Sequence, residues 1–161
     1  MNRVMPKIFV YGTLKNGFPN HYLLKNPPKG KTTFVEHAVT KERYPLVIGT
    51  DAKIPFMLPI PGQGKNIKGE IYEVDEEALV HLDKLEDHPS WYRRLPCQVV
   101  LSNAEELNCE TYFLMNSKQE LLDKEFHEEY SLDQGKDYKE VSGCPRTELL
   151  RSQVQTAPAL D

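Results

Sequence analysis

The sequence predicts an α+β domain built around a small, mixed, barrel-like β-sheet with a few helices. Two observations carry this. Short apolar or alternating runs rich in β-branched and aromatic residues recur along the chain and outnumber the helical patterns. Only one stretch, residues 75–87, is an unmistakable amphipathic helix. Strands this short and this close together suit a largely antiparallel sheet.

The elements read in order as follows. KIFVY (7–11) is a buried strand. A turn-rich loop runs from Gly12 to Asn20, with FPNH marking a helix start, and HYLLKN is a short helix stopped by Pro27 and Pro28. KTTFVEHAVT (31–40) and YPLVIG are strands. IPFMLPIPG is strand-like but broken by three prolines, which suits an edge or an irregular pocket wall. NIKGEIYEVD alternates with Ile67, Ile71 and Val74 on its apolar positions. The 75–87 helix carries acids in its first turn, where they complement the helix dipole. LPCQVVL and CETYFLM are two strands joined by a polar turn, and KQELLDKEFHEEY is expected to be a second helix. The domain is expected over 1–132, followed by a loosely ordered polar tail over 133–161.

Composition narrows the function. The formal net charge of −4 argues against nucleic acid, which attracts a basic face. No apolar stretch approaches a membrane span, and the N-terminus lacks an apolar signal-like run, so a cytosolic protein is expected. Cys97, Cys109 and Cys144 are far apart in sequence and lack CxxC spacing, so lone buried thiols are expected and no metal site is. The five histidines show no HExxH spacing and are expected on the surface or in loops.

One carboxylate stands out. With Leu79 at zero on a wheel of about 100° per residue, Leu82 falls at about −60°, Ala78 at about −100° and Leu85 at about −120°, which defines the core stripe. Glu86 falls inside this stripe at about −20°, whereas Asp83 lies at its margin near about +40°. The other acids of the helix are assigned to solvent. Burial and the negative end of the helix dipole both favour the neutral form of such a carboxyl, which makes Glu86 a candidate general acid and base. The alternative is that the helix frays at Asp87-His88-Pro89 and Glu86 turns to water.

The stretch FVYGTLKNG ends a strand on Gly12 and places Gly17 five residues later. Gly12 permits a positive φ and close approach, so the loop is either an anion-binding nest of backbone amides or a plain tight turn. No GK[ST], GxGxxG or GxSxG motif is present. What remains is acid–base chemistry without metal, cofactor or covalent nucleophile.

The segments VYGTLKNGFPNH, YPLVIG, IPFML and GEIYEVDEEALVHLDKLEDHPSWYRR, spread between Lys7 and Phe113, together resemble the γ-glutamylcyclotransferase superfamily, and within it the AIG2-like γ-glutamylaminecyclotransferase branch. The resemblance rests on the pairing of Y-G-T-L with L-D-x-x-E-x-x-P-x-x-Y. It implies a small mixed α/β barrel with its pocket beside the Y-G-T-L loop. Backbone amides of Tyr11, Gly12, Thr13 and Leu14 would hold the γ-glutamyl group. Glu86 would be the catalytic glutamate, with Tyr92 following it. Ile54, Pro55 and Phe56 would line the pocket.

The implied reaction is an intramolecular cyclisation. The substrate's α-amine attacks its own γ-carbonyl, 5-oxoproline forms and an amine leaves, lysine in the case of γ-glutamyl-ε-lysine. The partner is then a small γ-glutamyl compound, and no cofactor, metal, nucleic acid or membrane is implied. A monomer is expected. An alternative substrate is a γ-glutamyl amino acid, whose leaving group would call for a basic residue such as Lys15, Arg93 or Arg94. A further alternative is a non-catalytic module that binds γ-glutamyl compounds or 5-oxoproline. Residues 130–161 keep little of the branch's C-terminal pattern beyond a Tyr-Ser-x-Asp echo.

Overall fold

The computed structural model describes residues 5–12, 14–18, 21–27, 30–49, 54–86, 88 and 92–131. The elements are β1 (Lys7–Val10), α1 (Tyr22–Lys25), β2 (Thr32–Tyr44), β3 (Leu46–Gly49), β4 (Ile54–Met57), β5 (Lys65–Val74), α2 (Glu76–Leu85), β6 (Tyr92–Leu101), β7 (Glu106–Leu114) and a 3₁₀ stretch, Gln119–Asp123. Five strands close a barrel in the order β1-β5-β2-β6-β7. Every pairing is antiparallel except the closing one, where β1 meets β7 in parallel at Ile8 and Glu110. β3 and β4 form a separate antiparallel pair. The architecture is the expected α+β barrel.

Strand alternation sorts the core into two clusters. Phe9, Tyr11, Ile67, Ile71, Val99 and Phe113 belong to the cluster formed by the inward faces of the barrel strands. Ile8, Val10, Tyr72, Val74, Tyr112 and Leu114 point the other way, toward Ala78 and Leu82 of α2 and toward Leu24 of α1. The helix stripe read from the sequence therefore has a definite partner, the outer face of β1, β5 and β7. Asp75 caps α2 by accepting the Ala78 N–H at 2.9 Å.

Three expectations are corrected here. The 75–87 helix is shorter, because Asp75 is its N-cap and Glu86 its C-cap. Residues 118–130 are not an α-helix beyond the short 3₁₀ stretch. Their backbone is recruited by the sheet instead: His127 N–H donates to Leu46 C=O at 2.9 Å, and Glu128 C=O accepts from Lys68 N–H at 2.7 Å. Tyr130 is fully buried. Third, Cys97 and Cys109 are not isolated, since the β6–β7 register sets them directly opposite one another as free, buried thiols. The Cys109 thiol donates to the Cys97 carbonyl at 3.2 Å. Cys144 and the 133–161 segment lie outside the described residues. Among the described residues, no helix is long and apolar enough to cross a membrane.

Candidate active site

β1 runs into the Y-G-T-L loop at the point where α2 ends. A cavity of about 40 Å³ opens there, lined by Phe9, Val10, Tyr11, Gly12, Leu14, Ile54, Pro55, Glu86, Tyr92 and Tyr112. Tyr11, Gly12, Leu14, Ile54, Glu86 and Tyr92, all singled out from the sequence, thus converge on one space. Thr13 lies outside the described residues. Phe56 does not line the cavity. Its fully buried ring stacks on Tyr92 at 5.9 Å between centroids and 21° between planes, and so backs the wall that Tyr92 forms.

Glu86 stays inside. It is 9% exposed, and its N–H donates to Leu82 C=O at 2.9 Å, so the last turn does not fray before it. The chain then returns to β6, where the Tyr92 N–H reaches the Glu86 carbonyl at 3.4 Å and the Tyr92 hydroxyl donates to Pro55 C=O at 3.1 Å. His88 reinforces this return: its Nδ1 accepts the Arg94 N–H at 3.0 Å, a structural use that the sequence did not suggest.

The loop is fastened on its far side. Lys15 N–H donates to Gly12 C=O at 3.1 Å, and Asn16 N–H donates to the buried Glu70 carboxylate at 2.9 Å. The His21 Nδ1–H meets Leu14 C=O at 2.9 Å. Tyr11 ties the loop's start to β7 by donating its hydroxyl to Tyr112 C=O at 2.6 Å. Among the described residues of the loop the left-handed one is Gly17, at φ 87°, and not Gly12. Gly12 is required by crowding instead, because a Cβ there would meet the ring of Pro55.

Two basic residues considered for a leaving group are committed elsewhere. The Lys15 ammonium turns away from the cavity and donates to Tyr130 C=O at 2.7 Å. Burial lowers its pKa against the opposing charges of Glu129 and Glu70. Arg94 pairs with Asp83, and its Nε stands 3.4 Å from Glu110 Oε2, a charge contact without hydrogen-bond geometry. Asp83, placed at the stripe's margin by the wheel, is correspondingly only part-exposed and also accepts the Tyr112 hydroxyl at 2.6 Å. Tyr112 itself was missed. The alternation of CETYFLM puts it on the helix-facing side of β7, but only the closed sheet brings that side to Glu86. Among the described residues no three His, Cys, Asp or Glu side chains converge as metal ligands.

The same fold is found among solved structures. An AIG2-like protein from Mus musculus is 40% identical, with a TM-score of 0.77, over 80% of this chain and 90% of that one. The chain belongs to the family described as gamma-glutamyl cyclotransferase, AIG2-like, whose profile matches residues 8–132. Gamma-glutamylaminecyclotransferase C of Danio rerio is 44% identical over 128 residues, 76% of this chain and 84% of that one. The gamma-glutamylaminecyclotransferase of Mus musculus is 41% identical over 133 residues, 78% of this chain and 89% of that one.

Proposed function

We propose that this protein is a γ-glutamylamine cyclotransferase that releases 5-oxoproline and a free amine, with γ-glutamyl-ε-lysine as a representative substrate. The observation that carries this reading is the buried Glu86 carboxyl in one cavity with the Gly12–Leu14 side of the loop. The names of the relatives support it.

The nucleophile belongs to the substrate, so the protein has two tasks. The cavity bends the glutamyl chain until the α-nitrogen faces the γ-carbonyl carbon, a proximity effect. Glu86 takes a proton from the α-ammonium, the freed amine forms the new C–N bond, and Glu86 returns a proton to the leaving nitrogen as the old C–N bond breaks. Backbone amides of Tyr11, Gly12, Thr13 and Leu14 bind the γ-glutamyl group, with those nearest the γ-carbonyl receiving charge on its oxygen. Among the described residues, the Gly12 and Leu14 amides make no hydrogen bond to the protein, while those of Lys15 and Asn16 do. Ile54 and Tyr92 wall the cavity, and Phe56 supports Tyr92.

Lys15 and Arg94 are committed to other partners, which removes two of the three cations that an amino-acid leaving group's α-carboxylate would call for, and the names of the relatives favour the amine. The proposal includes a cytosolic monomer, checked by fractionation and size-exclusion chromatography. The decisive assay offers γ-glutamyl-ε-lysine and γ-glutamyl-alanine in parallel to wild type and Glu86→Gln and measures 5-oxoproline. Release from the lysine compound, reduced at least about 100-fold in a folded variant, is expected for loss of a general acid–base group. A fully active variant would overturn the role of Glu86. Preference for the alanine compound would move the substrate class, and binding without turnover would leave a binding module.

A further inference from the structure

We infer that Asp83, braced by Arg94, fixes the Tyr112 hydroxyl as a hydrogen-bond acceptor toward the cavity, where it receives the substrate's α-ammonium beside Glu86. This rests on the γ-glutamyl reading of the site.

Tyr112 lies on β7, is 4% exposed, and lines the same cavity as Glu86. Its hydroxyl is 2.6 Å from Asp83 Oδ1. An ionised carboxylate can only accept, so the single phenolic proton must lie on that line. Asp83 is kept in this role by Arg94, whose Nη1 donates to the other carboxylate oxygen, Oδ2. Arg94 is in turn placed between Asp83 and Glu110. Burial works against the Arg94 charge, but the bond to Asp83 and the charges of Asp83 and Glu110 outweigh it, so the guanidinium remains ionised. Burial first, then the bond to Asp83 and the charges of Asp83 and Glu86, raise the Tyr112 pKa far above the ordinary phenol range. Tyr112 therefore keeps its proton, and that proton is committed.

What the phenol oxygen has left for the cavity is lone pairs. An acceptor next to a carboxylate is unsuited to an oxyanion and well suited to a cationic N–H. The γ-glutamyl group carries one such donor, the α-ammonium, and it is the group Glu86 must reach. The site is then sorted by polarity: amide donors on the Gly12–Leu14 side face the carbonyl and carboxylate oxygens, and the two acceptors Glu86 and Tyr112 face the nitrogen. An N–H held on Tyr112 while Glu86 removes another also sets the direction of the attacking lone pair. Tyr112 is a binding residue in this account, and Asp83 and Arg94 are positioning residues.

The test compares two ligands that differ only in the ammonium. γ-Glutamyl-ε-lysine is the substrate, and ε-glutaryl-lysine, its des-amino analogue, cannot cyclise and is used as a competitive inhibitor. Tyr112→Phe removes the acceptor. In Asp83→Asn the carbonyl oxygen stays on Arg94 and the NH₂ turns to Tyr112, which reverses the hydroxyl. Both variants are expected to lower kcat/KM for the γ-glutamyl compound by about tenfold or more, the size of one hydrogen bond to a charged group. Both should leave the inhibition constant of the glutaryl compound within about twofold of wild type, because it has no ammonium to lose. Melting curves establish that the variants are folded. Equal losses for both ligands would show a distorted cavity and overturn the inference, as would unchanged kcat/KM in both variants. Absence of 5-oxoproline release from every γ-glutamyl compound by wild type would instead overturn the reaction itself, and the inference with it.

Discussion

Gly12 packs its bare α-carbon against Pro55, so closely that an added Cβ would stand 2.8 Å from Pro55 Cγ. The two residues both line the cavity and come from the loop after β1 and the start of β4. The Pro55 carbonyl is also held by the Tyr92 hydroxyl, which limits how far the ring can retreat. Gly12→Ala is expected to cost about 1–3 kcal/mol by overpacking and to lower Tm by several degrees. It should also reduce kcat/KM by moving β4. An unchanged melting curve would mean that Pro55 yields freely.

Glu70 anchors the loop from behind. Its Oε1 accepts both the Asn16 N–H at 2.9 Å and the Tyr72 hydroxyl at 3.0 Å. Glu70→Ala strands the buried Tyr72 hydroxyl, at roughly 1–3 kcal/mol, and takes the acceptor from the part-buried Asn16 N–H. KM should rise more than kcat falls, because the loop loses its support while Glu86 does not. Amide hydrogen exchange provides the direct check: the Asn16 N–H should be protected in wild type and exchange freely in the variant.

Tyr44 makes the fold sensitive to alkali. Its pKa is pushed up from 10.0 to about 12, first by burial and then by the charges of Cys97, Glu42 and Cys109. Between those values the unfolded chain has released this proton and the folded chain has not, so stability falls as pH rises through the window and is fully present below it. Urea midpoints measured at pH 9, 10 and 11 should drop more steeply for wild type than for Tyr44→Phe. Identical slopes would remove Tyr44 as the cause.

Gly69 sets how tightly β1 and β5 meet. A Cβ there would fall 2.4 Å from the Val10 carbonyl oxygen and 2.6 Å from Phe9 Cζ. The first neighbour is backbone within the barrel and has no rotamer to escape into. Gly69→Ala is expected to cost more than about 3 kcal/mol, in the class of severe core clashes. Loss of the cooperative thermal transition would show it, and a wild-type Tm would refute it.

The sequence by itself determined the local pattern of this protein. The runs KIFVY, NIKGEIYEVD, LPCQVVL and CETYFLM carry their own period-two alternation, and residues 75–87 carry the helical one, so strands and helix follow from side-chain periodicity, which offered the inward setting of Glu86 as one of two readings. Periodicity states which face is buried and never against what. The tertiary structure alone decided the parallel closure of β1 on β7, the Cys97–Cys109 pairing across β6 and β7, and the crowding of Gly12 by Pro55. It also decided that His127 and Glu128 would give their backbone to the sheet, where a helical pattern in the side chains was overruled by pairing with Leu46 of β3 and Lys68 of β5. The Tyr112–Asp83–Arg94 chain is of the same kind: its members are separated by 29 and 11 residues and come from β7, α2 and β6. Such hydrogen bonds depend on the register of whole strands, and register is set only when the barrel closes.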